Sequence, residues 1–145
     1  MDIGRDMQML QIGIAGKQET VVTDRLTARE IGSGELPVYA TPALIALVEE
    51  TAWKSVAGEL ETGQGTVGTK VDISHIAATP VGRKVRCETE LVEVDRRRLV
   101  FSVKVFDETG KVAEGTHERF VIENEKFLAK TDARHQISEG AKGNE

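Results

Sequence analysis

The alternation of apolar and polar residues predicts strands in five parts of the chain. These segments are 17–23, 66–77, 83–95, 98–107 and 111–127. Short polar turns at 95–97 and 108–110 separate the last three segments, and connections of this length imply antiparallel pairing. The C-terminal half of the chain is therefore predicted to be an antiparallel meander.

One long helix is predicted between the first two strands. It begins at Thr41-Pro42, because a threonine hydroxyl can accept a hydrogen bond from a free helix N–H and proline in the first turn sacrifices none. It runs to about Ala57, ends at Gly58 and is apolar over much of its circumference, as expected of a helix wrapped by a sheet. Residues 24–40 follow no clean period and are predicted to be loop-rich. The order of strand, helix and meander predicts an α+β domain.

The composition of the chain argues against several classes of function. The 145 residues suffice for one domain with its own core, predicted over 1–131, followed by a flexible tail at 132–145. A net charge of −5 and few aromatic residues (four Phe, one Tyr and one Trp) argue against nucleic-acid binding. No apolar stretch is long enough to span a membrane, and no signal peptide is visible. With a single cysteine, the chain is predicted to be cytoplasmic, free of disulfides and without a membrane partner.

Residues 63–68 match the pattern G-x-G-x-x-G but are not expected to bind a dinucleotide. That fingerprint requires a strand before it and a helix after it, because the helix N-terminus holds the pyrophosphate. Here the predicted helix comes first and the strand follows. The glycines are interpreted as turn residues that let a ligand approach the backbone closely.

Two adjacent carboxylates in the helix have different surroundings. Glu50 precedes Lys54 by four residues, which favours an exposed ion pair. Glu49 instead lies on a stripe of apolar residues: Ile45, Ala52, Trp53 and Val56. Such a carboxylate either reaches water at the edge of the stripe or is buried with a partner, as a catalytic acid, base or nucleophile often is.

His75 presents the same choice on a strand. Period-2 alternation places it on one face with Val71, Ile73 and Thr69, toward the helix, and places Gly68 on the opposite face. His75 is either a hydrogen-bonded core residue or a catalytic group that meets Glu49 across one cleft. Thr41 is either the helix cap alone or a cap whose hydroxyl also bonds a ligand.

The remaining reactive side chains carry weaker signals. Cys87 falls on an apolar strand face and is interpreted as a buried structural thiol. His117 and Arg119 share a face opposite Phe120, where they either form an ion-pair ladder or contact an anionic ligand. The three histidines lack the spacing of metal ligands, so no metal site is predicted.

Several motifs together resemble one known family. They are Tyr39-Ala40-Thr41-Pro42, Glu49, Val67-Gly68-Thr69, the run 73–82 (ISHIAATPVG) and the run 115–122 (GTHERFVI). Over residues 17–130 the chain resembles fluoroacetyl-CoA thioesterase-like proteins, which are hotdog-fold acyl-CoA hydrolases. The resemblance implies a long helix cradled by a curved antiparallel sheet, in a homodimer with its active sites at the subunit interface. The apolar helix and the sheet edges also favour such a dimer.

The resemblance further implies a site. Glu49 corresponds to the nucleophile or general base, aided by His75, while Thr41 orients the substrate or a water molecule. The residues implied in substrate binding are Gly68, Thr69 and Arg119. Backbone N–H groups near Gly68 are expected to polarise the thioester carbonyl. No cofactor is implied, because coenzyme A is part of the acyl-CoA substrate.

The lid segment departs from the family pattern. Fluoroacetyl-CoA hydrolases of the family carry phenylalanines there, whereas residues 31–38 (IGSGELPV) contain none. The resemblance therefore implies hydrolysis of an acyl-CoA thioester without implying selectivity for the fluoroacetyl group. The alternative function is binding of acyl-CoA or another small molecule without catalysis.

Overall fold

The chain places one long helix against one antiparallel sheet. A computed structural model describes residues 10–143. The strands within this range are β1 (Ala15–Val21), β2 (Gln64–His75), β3 (Lys84–Asp95), β4 (Arg98–Asp107) and β5 (Gly110–Glu123). The α-helices are α1 (Ala28–Ile31), α2 (Thr41–Ala57) and α3 (Asn124–Gly143). Each predicted strand overlaps an observed one, and the α+β class is confirmed.

The sheet order is β1-β3-β4-β5-β2, with every neighbouring pair antiparallel. Strands β3, β4 and β5 form the predicted meander, and Arg96 adopts a left-handed φ of 57° in the first of its tight turns. Strand β2 lies at one edge of the sheet and pairs only with β5 among the described strands. The strand that carries Gly68 and His75 therefore has one open side.

The core lies between α2 and the inner face of the sheet. Buried side chains of the helix pack in two clusters, one around Leu44 and Val48 and the other around Ala52 and Val56. In the second cluster they meet Phe101, which is fully buried. Because burial of one such large side chain contributes about 1.5–3 kcal/mol, these contacts fix the position of the helix on the sheet.

Two predicted segments differ from the structure. Residues 24–40 include a 3-10 turn (Asp24–Leu26) and helix α1, which Thr27 caps by accepting a hydrogen bond from Glu30 N at 3.3 Å. The last strand ends at Glu123 because α3 begins at the next residue. The predicted domain boundary at 131 therefore falls inside a helix, which continues to Gly143.

Helix α3 contributes little to the core. Its side chains from 124 to 136 are exposed apart from the half-buried Thr131. The segment contains Ala, Leu, Lys and Glu and no proline, so intrinsic helix propensity favours it without an apolar face. Along residues 10–143 we find no helix whose length and apolar character would suit a bilayer span.

Candidate functional site

The start of α2 and the end of β2 meet at Thr41 and His75. Thr41 is the first residue of the helix and Ala40 is the N-cap, which makes no side-chain capping bond. The prediction that Thr41 caps the helix is therefore wrong. Its Oγ1 atom instead lies 2.8 Å from Nδ1 of His75, so the hydroxyl forms a hydrogen bond with the imidazole.

The other ring nitrogen of His75 lacks a hydrogen-bond partner within residues 10–143. Nε2 is buried and makes no hydrogen bond to the part of the chain that the structure describes. Burial lowers the pKa of His75 below its ordinary value of 6.5, since a charged ring is penalised there, although the polar backbone at Ala77 acts in the opposite direction. A neutral imidazole with one unpaired nitrogen is suited to exchanging a proton with a ligand or a water.

A surface cavity of about 310 Å³ opens at this pair. Its walls come from α1, the following loop, the start of α2 and the segment after β2. The lining residues are Ala28, Ser33, Val38, Tyr39, Thr41, His75, Ile76, Ala77 and Ala78. Small and aliphatic side chains predominate, so the cavity suits an apolar group with polar atoms directed at Thr41 and His75.

Glu49 lies elsewhere on the helix. It follows Thr41 by eight residues, which corresponds to about 12 Å along a helix axis. Its side chain is 42% exposed, and Oε2 lies 3.3 Å from Nη1 of Arg119. The neighbouring Glu50 forms the predicted exposed ion pair with Lys54 at 3.3 Å. One chain therefore brings Thr41 and His75 together and leaves Glu49 about two helical turns away.

Arg119 and His117 lie beneath Glu49. They share one strand face as predicted, but that face is directed toward α2, and the two residues are only 5% and 1% exposed. Arg119 donates from Nε and Nη2 to the hydroxyl and carbonyl of Thr66, at 2.8 and 3.0 Å. Its Nη1 lies 3.3 Å from Glu49 Oε2 and 3.1 Å from His117 Nε2. The structure thus places both residues in a buried network that ends in an ion pair with Glu49.

A β-bulge shapes the same region of β2. Gly68 pairs with Arg119 and Lys70 with Glu118, so Thr69 is the extra residue, and its hydroxyl donates to the Glu118 carbonyl at 3.2 Å. An extra residue reverses the inward and outward alternation along a strand. The predicted face is therefore correct for His75 but wrong for Gly68, which shares the inner face with Arg119. The bulge also means that Thr69 lies between the two faces.

Gly68 leaves no room for a side chain. A Cβ atom at this position would lie 3.2 Å from Arg119 Nη1, 3.3 Å from the His117 ring and closer than 3.0 Å to Glu49 Oε2. The bare backbone of β2 therefore approaches the carboxylate directly. Gly68 and Glu49 are adjacent because the bulge turns this glycine inward.

The remaining predicted residues lie outside these two groups. Cys87 is a free, buried thiol, as interpreted from the sequence, and burial raises its pKa to about 11. Sequence reasoning missed Thr66, which holds two nitrogens of Arg119. No signal was available for it, because the bulge that places Thr66 on the same face as His75 is invisible in the alternation. Among the described residues, no cluster of His, Cys, Asp or Glu has the arrangement of a metal site.

A family model described as fluoroacetyl-CoA-specific thioesterase (FlK) matches residues 22–125. The chain belongs to this family. A fluoroacetyl-CoA thioesterase of Streptantibioticus cattleyicolor is 42% identical over 93 residues, which are 64% of this chain and 67% of that protein.

Solved structures agree with this assignment. A structure of the fluoroacetyl-CoA thioesterase FlK has a TM-score of 0.80 at 36% identity, covering 85% of this chain and 96% of that one. A Thermus thermophilus protein described as a thioesterase superfamily member has a TM-score of 0.83 at 26% identity, covering 90% and 96%. The predicted family, hotdog fold and thioester-hydrolase class are confirmed. The catalytic residues, the homodimer and the compartment stay predictions.

Proposed function

We propose that this chain hydrolyses acyl-CoA thioesters, with Thr41, Glu49 and His75 as its catalytic groups. The observation that carries the proposal is the hydrogen bond between Thr41 and His75, which leaves a buried, unpaired imidazole nitrogen beside a cavity of about 310 Å³. An unpaired buried polar atom costs free energy, so its retention favours a ligand or a partner group at that position.

In the proposed reaction, Glu49 either attacks the thioester carbonyl or activates a water that does so. The C–S bond then breaks and coenzyme A leaves as the thiolate. Where water attacks, the proton that Glu49 has taken from it passes to the thiolate through the neutral His75; where Glu49 attacks, the thiolate takes a proton from solvent. If Glu49 is the nucleophile, a water subsequently hydrolyses the acyl anhydride and releases the acid. Thr41 fixes the orientation of the imidazole through its hydrogen bond.

The carbonyl oxygen gains negative charge during attack and requires hydrogen-bond donors. The bulge in β2 interrupts the regular pairing at Thr69, next to the close approach of Gly68 to Glu49. Backbone N–H groups at Gly68 and Thr69 are proposed as those donors. Arg119 is proposed to act on the substrate through Glu49, because all three guanidinium nitrogens contact protein atoms.

A second copy of the chain is proposed to complete each site. The distance of about 12 Å between Thr41 and Glu49 along α2 separates the proposed groups within one subunit. The open edge of β2 offers unpaired backbone groups to another strand, and pairing there brings the site strands of two subunits together. Light scattering at micromolar concentration is expected to give the mass of a homodimer, and a monomeric mass would contradict this part of the proposal.

The test is an acyl-CoA panel from acetyl and fluoroacetyl to long-chain esters, with release of free thiol as the readout. We expect turnover that falls on the order of 100-fold or more in Glu49→Ala and in His75→Ala. Glu50→Ala is the matched control, since it removes a neighbouring carboxylate that pairs with Lys54 on the surface. Wild-type turnover in Glu49→Ala or His75→Ala would refute the mechanism, and saturable binding without thiol release would favour the non-catalytic alternative.

The panel also addresses the acyl group. The cavity wall contributed by residues 28–39 has Tyr39 as its aromatic residue, and Leu36 of the lid segment is directed to solvent with 64% exposure. We therefore expect no strong preference for fluoroacetyl-CoA over other short acyl-CoA esters. A preference far exceeding the difference in intrinsic reactivity of the two thioesters would contradict this expectation.

A further inference from the structure

We propose that His117 is a positioning residue of the thioesterase site: its neutral ring, protonated on Nδ1, accepts a hydrogen bond from Arg119 and so holds the guanidinium against Glu49. The inference rests on the proposed function, because it gives His117 a role only if Glu49 takes part in hydrolysis. His117 is 1% exposed and therefore does not contact the substrate itself.

The partners of the ring determine its tautomer. Nδ1 lies 2.8 Å from the carbonyl oxygen of Lys70, which can only accept, so Nδ1 carries a proton. Nε2 lies 3.1 Å from Nη1 of Arg119, which can only donate, so Nε2 must have a free lone pair. Both contacts are satisfied by a single form, the neutral ring with its proton on Nδ1.

The same nitrogen of Arg119 serves both His117 and Glu49. Nη1 has two hydrogens, and its two partners are His117 Nε2 and Glu49 Oε2. Thr66 holds the other two nitrogens from β2. With His117 as acceptor, the plane of the guanidinium is fixed and its remaining hydrogen is aimed at the carboxylate. Loss of this acceptor leaves one hydrogen of Nη1 without its partner, so the guanidinium shifts toward a water or another acceptor and no longer holds the Glu49 carboxylate in one position.

The electrostatic surroundings keep the ring neutral. Burial lowers the pKa of His117, and the charge of Arg119 lowers it further; the Lys70 carbonyl and the carboxylates of Glu49 and Glu118 act in the opposite direction. From β4, the Phe101 ring stacks on the imidazole with a centroid distance of 6.3 Å. Protonation of His117 would convert its acceptor into a donor facing Arg119, so acid conditions disrupt the network.

The first test uses the wild-type protein. Long-range ¹H–¹⁵N NMR of histidine-labelled protein at pH 7 distinguishes the two neutral tautomers and the charged ring. We expect the signal of one histidine to report the neutral Nδ1–H form and to disappear in His117→Gln. A charged ring, or a proton on Nε2, would overturn the proposal without any assay of activity.

The second test compares two substitutions on folded, dimer-matched protein. His117→Leu removes the acceptor, and we expect kcat to fall about tenfold to 100-fold with KM changed by no more than about twofold, because misplacement of a catalytic group has effects of this size. His117→Gln offers an uncharged acceptor and is expected to restore most of kcat. Because glutamine does not titrate, the acid limb of its kcat profile should also become less steep. His135→Gln, on the exposed face of α3, is the matched control.

The outcomes separate the two proposals. Equal kcat values for the Leu and Gln variants, or an unchanged acid limb in His117→Gln, would overturn the role of His117 and leave the proposed function intact. Full activity in Glu49→Gln would instead refute the catalytic role of Glu49, and with it the reason for the role of His117, whereas absence of thiol release by the wild type would refute the proposed function.

Discussion

Replacement of Gly68 by alanine directly tests the close approach of the β2 backbone to the Glu49 carboxylate. The added Cβ would lie closer than 3.0 Å to Glu49 Oε2, a separation that real Cβ atoms essentially never show. The carboxylate is the flexible end of a half-exposed side chain, so it is the group that moves. Ordinary contact begins at 3.4 Å, and restoring it requires a displacement of Glu49 on the order of 0.5–1 Å.

The cost in stability is small. The Glu49–Arg119 pair is 42% exposed on the glutamate side, and partly solvated pairs contribute about 0–1 kcal/mol. Alanine also stabilises the protein by about 0.4–1 kcal/mol, because it reduces the conformational freedom of the unfolded chain, where the native backbone conformation accepts alanine. The two effects nearly cancel, and the contacts at 3.2 and 3.3 Å to Arg119 and the His117 ring require those groups to move by only a few tenths of an ångström. We therefore expect the melting temperature to change by no more than about 5 °C.

The cost in activity is much larger. A displacement approaching 1 Å in a catalytic group can reduce turnover about 100-fold, so we expect kcat in Gly68→Ala to fall on the order of tenfold to 100-fold. Steady-state thiol release and a thermal melt measure the two quantities. Gly58→Ala is the matched control, because Gly58 has φ −71° and open space around its Cβ position. Its kcat should remain that of the wild type.

Two results would refute this reasoning. Wild-type kcat in Gly68→Ala would show that the position of Glu49 against β2 is irrelevant to turnover. A loss of more than about 10 °C in melting temperature would show that the backbone, and not the carboxylate, absorbs the clash.

Two further predictions concern buried titratable groups. Burial lowers the pKa of His75 and His117, so below about pH 6.5 the unfolded chain binds protons that the folded chain excludes. The free energy of unfolding therefore has its full value above about pH 6.5 and decreases as the pH falls below it. Thermal melts between pH 8 and pH 5 measure this pH dependence in the wild type and in the double variant His75→Gln/His117→Gln. Equal melting temperatures of the two proteins at every pH would contradict the prediction. With a pKa of about 11, the buried Cys87 thiol should react with a disulfide reagent at pH 8 only as fast as the protein opens; labelling of the native protein at the rate of the denatured protein would be the opposite result.

Much of the fold was determined locally. The alternation in β3, β4 and β5 and the polar turns between them predict the meander, because period-2 burial and short antiparallel connections are local properties. The end of α2 at Gly58 and the Glu50–Lys54 pair follow from spacing along one helix. The motifs around Thr41, His75 and 115–122 are sufficient by themselves to indicate the family.

Only the tertiary structure decided how those residues meet. The bulge at Thr69 turns Gly68 inward, and two strands must pair before such a shift of register exists. Thr41 bonds His75 instead of capping its helix, since the end of β2 supplies an imidazole at that point. The network from Thr66 through Arg119 to Glu49 joins two strands and a helix that are far apart in sequence. Periodicity reports the face on which a side chain lies, whereas its hydrogen-bond partner depends on which element packs against that face.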